Sequence, residues 1–230
     1  MTSVLVIDDH PIVQQGCRRL LEDAGVERVL EASTVLGGYR LFRREKPDVV
    51  IVDLALNGSG LSGLMLVRRL RAQNARTPIL VFSMHGDPVI ASRALEAGAT
   101  GYVLKDTSSG ALLEAFEKVR RGQPYMSHDL AMQVALLGSR SRTTPLADIT
   151  PRELQTLALL ADGKDYTAIA GELGVSYKTV ANTCSQLKSK LGASSLPELV
   201  RVAIQYLSSS PVGGRSGPWP AAGAVDTKLG

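Results

Sequence analysis

The first 122 residues alternate short apolar runs with amphipathic segments, and no other feature of the chain restricts its fold as strongly. Parallel strands need a long crossover connection, so repeats of a strand and a helix build a parallel sheet that helices cover on both faces. Only 4% of the residues are aromatic, and a core filled mainly by Leu, Val, Ile and Ala suits that architecture. We therefore predict an α/β doubly wound domain with a five-stranded parallel sheet over residues 1–122.

The positions of the apolar residues locate the individual elements. The predicted strands span residues 4–7, 28–31, 49–52, 79–82 and 101–103. The predicted helices of this domain span residues 13–24, 35–45, 63–73, 88–97 and 109–121. Residues 123–145 contain a further helix at 130–137 and then small and polar residues, which predicts a linker.

From residue 146 the pattern changes to short helices without strands, predicted at 151–161, 166–173, 177–191 and 196–207. We expect these to form a small all-α four-helix domain over residues 146–208. The stretch 209–230 is rich in Ser, Gly, Pro and Ala, and it is predicted to be a disordered tail because it cannot bury a core.

Charged and polar side chains stand at the carboxyl ends of the predicted strands, at Asp8, Asp9, Asp53, Ser83 and Lys105. Ligands of a doubly wound sheet bind at this edge, so we expect these groups to converge. The carboxylates repel one another, and Mg²⁺, which prefers oxygen ligands, would offset their charge. Asp53 is then the candidate nucleophile toward a phosphoryl group, with the Lys105 ammonium neutralising charge and Ser83 donating a hydrogen bond.

Each of these residues also has an ordinary structural explanation. The first two aspartates precede Pro11 and could simply cap the next helix. Asp53, Ser83 and Lys105 would then be a turn residue, a loop hydroxyl and a surface charge. Their joint occurrence at four separate strand ends favours a functional site.

Three segments resemble the receiver domains of bacterial two-component response regulators, which have a flavodoxin/CheY-like fold. They are Val-Leu-Val-Ile-Asp-Asp-His-Pro at 4–11, Val-Asp-Leu at 52–54 and Ala-Gly-Ala-Thr-Gly-Tyr-Val-Leu-Lys-Asp at 97–106. The resemblance implies that Asp53 is the phosphoacceptor. It also implies that Mg²⁺ is bound by four residues, namely Asp8, Asp9, Asp53 and, through its backbone carbonyl, Ala55.

By the same resemblance, Ser83 and Lys105 bind the phosphoryl group and Tyr102 occupies an aromatic switch position. Tyr102 also fits an ordinary strand aromatic packed on the sheet. The segment Leu56-Asn57-Gly58, with Ser59-Gly60 after it, departs from the Met-Pro-Gly type of turn usual in the family. Because proline fixes φ, its loss predicts a more mobile loop or an altered dephosphorylation rate.

The second domain carries the signals of a helix-turn-helix. Thr150, Pro151 and Glu153 specify a helix start, with threonine as cap, proline at the first position and a capping-box glutamate. A helix of small residues then ends at Gly174, and Ser176 caps the next one. Two helices joined by so tight a turn would place the second in the major groove of DNA.

Apolar residues at spacings of four, three and four define the buried stripe of that second helix, at Val180, Cys184, Leu187 and Leu191. The opposite face offers polar and cationic residues, at Lys178, Ala181, Asn182, Ser185, Gln186, Lys188, Ser189 and Lys190. Asn and Gln pair with adenine, and lysines mostly contact phosphates. Without the preceding turn, the same face would fit an ordinary solvated helix surface.

This part of the chain resembles the LuxR-type helix-turn-helix of the NarL/FixJ regulators, through Ile-Thr-Pro-Arg-Glu-Leu at 149–154, Ile-Ala-Gly-Glu-Leu-Gly-Val-Ser at 169–176, Lys-Thr-Val at 178–180 and Lys-Leu-Gly at 190–192. The implied DNA contacts are Lys178, Thr179, Ala181, Asn182, Ser185, Gln186 and Lys188. Ala181, Thr183 and Ser185 replace residues that are commonly Lys, His and basic or polar in that class. We therefore expect weak non-specific binding and a shallow salt dependence.

Net charge and cysteine content restrict the possible functions less than these motifs do. The net charge is +4, yet residues 146–208 hold six Lys/Arg and six Asp/Glu, so bulk charge does not support DNA binding. Cys17 and Cys184 lack metal-type spacing and are expected to be free thiols in a reducing compartment. The start of the chain has no signal-peptide pattern and no run could span a membrane, which predicts a cytoplasmic location.

These features together predict a homodimeric transcription regulator, phosphorylated on Asp53 by a sensor histidine kinase and bound to double-stranded DNA. It would be no enzyme beyond its own Mg²⁺-dependent phosphotransfer and dephosphorylation. Two alternatives stay open: a phosphatase or phosphotransferase that forms an aspartyl phosphate, and a regulator whose degenerate output domain acts through protein–protein contacts.

Overall fold

The structure, a computed structural model, describes residues 2–56, 60–137, 146 and 148–207. Its strands are β1 (Ser3–Ile7), β2 (Arg28–Ala32), β3 (Val49–Val52), β4 (Ile79–Ser83) and β5 (Gly101–Leu104). They form one sheet in the order β2-β1-β3-β4-β5, and every neighbouring pair is parallel. The predicted doubly wound α/β fold is confirmed.

A helix follows each strand, and further helices follow the sheet. They are α1 (Pro11–Asp23), α2 (Val35–Glu45), α3 (Ser62–Gln73), α4 (Pro88–Glu96), α5 (Ser109–Arg120), α6 (His128–Leu137), α7 (Pro151–Ala161), α8 (Tyr166–Leu173), α9 (Tyr177–Leu191) and α10 (Leu196–Leu207). The last four match the predicted ranges. Helix α1 begins two residues before its predicted start because proline, here Pro11, is favoured in the first helical turn.

The sheet is buried on both faces, which explains its continuous apolar strands. All four residues of β3 are buried, and so are all five of β4. Because β1 lies between β2 and β3, the order of strands reverses there and creates a crevice at the carboxyl ends of β1 and β3. The fold therefore places the residues that follow these two strands side by side.

The segment after α5 stays attached to the receiver-like sheet. The Tyr102 N–H donates to the Tyr125 carbonyl at 2.8 Å, and α6 packs on α4 with Leu130 buried. The predicted linker begins within this segment, and its residues 138–145 lie outside the described chain, as do 57–59 and 208–230. The domain boundaries, the mobility of the 56–60 turn and the disorder of the tail therefore remain predictions.

The helix-turn-helix has the predicted capping residues. Thr150 accepts from the Glu153 N–H and the Glu153 carboxylate accepts from the Thr150 N–H, so the capping box is complete. Gly174 ends α8 in the left-handed conformation, and the Ser176 hydroxyl accepts from the Thr179 N–H at 3.1 Å. Across the described part of the chain, none of the helices has the length and apolar character that a bilayer crossing requires.

Helix α7 is buried on all sides over eight consecutive residues, Glu153 to Leu160. A helix of a small helical domain normally buries one stripe, so a second surface must cover its other face. That surface is the first domain: the Gly60 N–H donates to the Asp162 carboxylate at 3.2 Å, and Arg93 donates to the Ile149 carbonyl at 3.3 Å. The two domains are docked through α7.

Candidate functional site

The crevice brings together three of the sequence-predicted residues in one ion-pair network. Asp8 follows β1, Asp53 follows β3, and Lys105 follows β5. The Lys105 Nζ lies 2.7 Å from an Asp8 oxygen and 2.8 Å from an Asp53 oxygen, and all three side chains are at most 7% exposed. The strand topology therefore converts positions far apart in sequence into one buried charge cluster.

The backbone around Asp53 is tightly packed. The Asp53 N–H donates to the Ile7 carbonyl at 2.9 Å, which fixes β3 against β1 at the strand ends. A Cβ at Gly63 would lie 2.2 Å from the Asp53 carbonyl oxygen, so only glycine lets α3 begin this close to the acceptor residue.

Burial and the ion pairs act in opposite directions on the ionisation of this cluster. Burial raises the pKa of Asp53, while the Lys105 charge and hydrogen bond and the Ala55 N–H partly oppose that rise. Burial by itself lowers the pKa of Lys105. The carboxylates of Asp53 and Asp8 outweigh this effect, so the Lys105 pKa is raised overall. The site thus holds a buried carboxylate beside a firmly protonated ammonium.

The donor set fits a hard divalent cation. One ligand atom from each of Asp8, Asp9, His10 and Asp53 lies within 4.8 Å of the others. Carboxylate oxygens are the ligands that Mg²⁺ prefers, and excess negative charge at one point favours a cation there. Asp8, Asp9 and Asp53 therefore could hold the predicted Mg²⁺, while a role for the Ala55 carbonyl stays a prediction.

His10 was missed by the sequence reasoning. Its Nδ1 lies 3.1 Å from oxygens of both Asp8 and Asp9, and it is also the N-cap residue of α1 without a side-chain cap. Asp8 is not the cap of α1, since its carboxylate accepts from the His10 N–H and His10 is the N-cap residue. In the sequence, the only indication of a role for His10 is that it directly follows the aspartate pair.

The far side of the crevice links Ser83 to Tyr102. Ser83 is fully buried at the end of β4, and its hydroxyl accepts from the His85 N–H at 3.3 Å. Tyr102 points into the protein, and its hydroxyl donates to the His85 carbonyl at 2.7 Å. Burial raises the Tyr102 pKa. The His85 pKa is lowered to about 4, mainly by burial and to a smaller extent by the charge of Lys105. These contacts tie β5 to the β4–α4 loop.

Most of the predicted DNA-contacting face of α9 is open. Its exposed members are Lys178, Thr179, Asn182, Ser185 and Gln186, while Ala181 and Lys188 are half-buried. Lys190, predicted near the far end of that face, is exposed, and its Nζ bonds the Glu153 carboxylate at 2.8 Å and the Asp148 carbonyl at 3.1 Å. The capping-box glutamate is buried and requires a counter-charge, so Lys190 pairs within the domain.

The buried stripe of α9 is largely as predicted. Val180, Cys184 and Leu187 are buried, and Leu191 is half-buried at the helix end. Cys17 and Cys184 are free thiols, and burial raises the Cys17 pKa to about 12, so that thiol is unreactive at neutral pH.

The chain matches two family models. Residues 4–117 match the response regulator receiver domain, and residues 147–203 match the bacterial regulatory proteins of the luxR family. These ranges contain the ion-pair network and the helix-turn-helix respectively. The two matched segments follow one another without overlap.

Relatives match over nearly the whole length. The methanol utilization control regulatory protein MoxX of Paracoccus denitrificans is 39% identical, covering 89% of this chain and 92% of that protein. The response regulator UvrY of Escherichia coli K12 is 32% identical, covering 90% and 95%. A solved structure of RcsB from Salmonella enterica serovar Typhimurium, bound to promoter P1flhDC with phosphomimetic BeF3−, has a TM-score of 0.70. Its sequence is 25% identical, and the match covers 91% of this chain and 99% of that one. The chain therefore belongs to the NarL/FixJ family of two-component response regulators, with a receiver domain and a LuxR-type helix-turn-helix domain.

Proposed function

We propose that this response regulator is phosphorylated on Asp53 by a sensor histidine kinase and that phosphorylation shifts dimerisation and DNA binding. The observation that carries the proposal is the Lys105 ammonium, held within 2.8 Å of both Asp53 and Asp8 at the carboxyl edge of the sheet. A buried lysine between two carboxylates is suited to receive the charge of an incoming phosphoryl group. A cytoplasmic location stays a prediction.

Phosphoryl transfer requires little covalent chemistry from the protein. An Asp53 oxygen forms the new O–P bond while the P–N bond to the kinase histidine breaks and leaves its electron pair on the imidazole nitrogen. Lys105 neutralises charge on the transferred group, and Asp8 and Asp9 would hold the metal. Bound Mg²⁺ would supply further charge neutralisation and orient the phosphoryl oxygens. The receiver acts only on its own aspartate, so we propose no separate substrate.

The phosphoryl group would then change two connected regions. Its oxygens compete for the Ser83 hydroxyl and the Lys105 ammonium, and Ser83 is connected through His85 to Tyr102. The turn after Asp53 leads to Gly60, which contacts the docked helix α7. Phosphorylation shifts the docked population only by its differential affinity for the docked and released arrangements.

DNA binding is proposed to occur as a homodimer. The exposed face of α9 carries Asn182, Gln186 and Lys178, which suit adenine edges and phosphates of double-stranded DNA. Paired recognition helices read half-sites about one helical turn apart, which requires two subunits.

The phosphotransfer proposal is tested with the full chain, Mg²⁺ and acetyl phosphate. We expect the wild type to gain the mass of one phosphoryl group, located by peptide mapping at Asp53, and to lose this reaction when Mg²⁺ is chelated. The Asp53→Asn variant should gain nothing. An equal mass gain in the variant would contradict the assignment.

A second candidate is a regulator whose output domain acts through protein contacts. It is favoured by the neutral charge of residues 146–208 and by the internal pairing of Lys190, which leaves few free cations on α9. Selection of DNA from random sequence by the phosphorylated wild type distinguishes the two, since enrichment supports DNA binding and its absence supports the second candidate.

A further inference from the structure

A cleft of about 240 Å³ lies at the junction of the two docked domains. Its receiver wall consists of Leu64, Met65, Arg68 and Arg93, and its output-domain wall consists of Pro151, Arg152, Leu154 and Gln155. Because both domains supply walls, the cleft exists in this form only while α7 is docked on the receiver. It is separate from the crevice that holds Asp53.

Three arginines contribute to the walls of the cleft. Arg68 and Arg93 line it from the receiver and Arg152 lines it from the output domain, while none of its described lining residues is acidic. Glu96 pairs with Arg93 at 2.9 Å from outside the lining, which offsets one charge of three. Like charges from two domains in one cleft repel each other and oppose docking, unless an anion lies among them.

The guanidinium groups retain hydrogen-bonding capacity. Each carries five N–H donors. Arg93 donates to Glu96 and to the Ile149 carbonyl, and Arg152 donates to the Leu173 carbonyl at 2.7 Å. Arg68 is exposed and makes no ion pair with any residue in the described ranges. Each guanidinium group therefore keeps N–H donors beyond these contacts.

We propose that the cleft binds a small phosphate-bearing anion, which bridges the receiver and the output domain and stabilises their docked arrangement. Guanidinium groups pair with phosphate through parallel N–H donors, and they are better suited to it than point charges. The volume lies below that of most organic-ligand pockets, which limits the ligand to a compact anion and excludes a DNA duplex.

The regulatory consequence follows from mass action. A ligand that needs both walls binds the docked state alone, so its concentration raises the docked population. Binding of the anion needs neither Mg²⁺ nor a kinase, and it acts on the same docked population that phosphorylation of Asp53 shifts.

Adjacent arginines on α3 provide a matched test. Arg68 lines the cleft, whereas the Arg69 guanidinium lies over the Tyr39 ring at 4.0 Å. The changes Arg68→Gln and Arg69→Gln remove the same charge from neighbouring positions. Calorimetric titration of each full-length protein with pyrophosphate, at one ionic strength, compares the cleft with general electrostatic attraction.

We expect Arg68→Gln to weaken pyrophosphate binding by at least about tenfold, while Arg69→Gln changes it by less than about threefold. Pyrophosphate should also slow amide hydrogen exchange in residues 151–161 of the wild type and of Arg69→Gln, but not of Arg68→Gln. Equal affinities in all three proteins would show binding elsewhere, including at Lys105, and equal losses in both variants would show non-specific attraction. Either result overturns the proposal, and neither bears on phosphorylation of Asp53.

Discussion

Lys105 determines the charge balance of the phosphoacceptor crevice at the scale of single residues. Its ammonium lies between Asp8 and Asp53, and all three side chains are buried. Two neighbouring carboxylates without it would retain an uncompensated negative charge in a poorly solvated site. Lys105 therefore stabilises the fold in addition to its proposed role in phosphotransfer.

Replacing this lysine should be costly without metal. We expect Lys105→Met to lower the free energy of unfolding by about 3 kcal/mol in chelator, because it leaves buried charge uncompensated. Added Mg²⁺ should restore part of the loss. The control is Lys118→Met, which breaks the exposed pair with Glu114 and should leave the free energy of unfolding nearly unchanged. Equal losses in urea denaturation would contradict the assigned role of Lys105.

His85 makes the receiver sensitive to acid. Its folded-state pKa is lowered to about 4 from 6.5, so the unfolded chain takes up the proton first as the pH falls. Its neutral, buried state therefore stabilises the fold fully above pH 6.5, and this contribution is lost as the pH falls toward 4. From these two pKa values the loss between pH 7.5 and pH 4.5 is about 2–3 kcal/mol.

The variant His85→Gln separates this contribution from that of the carboxylates. Denaturation of both proteins at a series of pH values should show the wild type losing about 2–3 kcal/mol more than the variant over that range. If the free energies of unfolding of the two proteins run parallel over this pH range, His85 is protonated in the folded protein as well, and its burial does not have the stated effect.

At the scale of elements, helix α9 presents polar groups to DNA but few cations. Lys178 is exposed, Lys188 is half-buried, and Lys190 is paired with Glu153. Each phosphate contact contributes about 0.9 to the slope of log K against log salt. We therefore expect a shallow slope for this regulator.

Adding one cation to α9 should steepen that slope. Ser185 is exposed on the DNA-facing side, so Ser185→Lys should add about one unit for each bound subunit. Ser109→Lys places the same charge on an exposed position of α5 and serves as the control. A fluorescence titration that gives both variants the same slope would contradict the placement of α9 on DNA.

At the scale of the whole molecule, local signals were sufficient for the fold but not for the docking. Thr150, Gly174 and Ser176 have local capping roles, so the helix ends around them were predictable. The Asp53–Lys105 pair could also be predicted, because both residues follow parallel strands whose carboxyl ends lie at one edge of the sheet. The Lys190–Glu153 pair and the docking of α7 could not be predicted, because they join surfaces whose relative position no local pattern determines.

The docked arrangement depends on a close approach at Gly60. A Cβ there would lie 2.9 Å from both the Ala158 Cβ and the Leu159 nitrogen, and φ is +21°. Gly60→Ala should therefore push α7 away and increase the radius of gyration in small-angle X-ray scattering. Gly171→Ala is the control, because a Cβ at that position meets nothing within 4 Å. An unchanged radius for Gly60→Ala would show that docking does not depend on this contact.

Phosphorylation of the receiver is proposed to control DNA binding by the second domain, and DNA affinity measures this coupling. The full chain is titrated with its selected DNA before and after treatment with Mg²⁺ and acetyl phosphate, in parallel with Asp53→Asn. We expect phosphorylation to tighten DNA binding by the wild type by about tenfold, within the usual range of allosteric coupling, and to leave binding by the variant unchanged. Equal affinity of the phosphorylated and unphosphorylated wild type, or an equal gain in the variant, would contradict it.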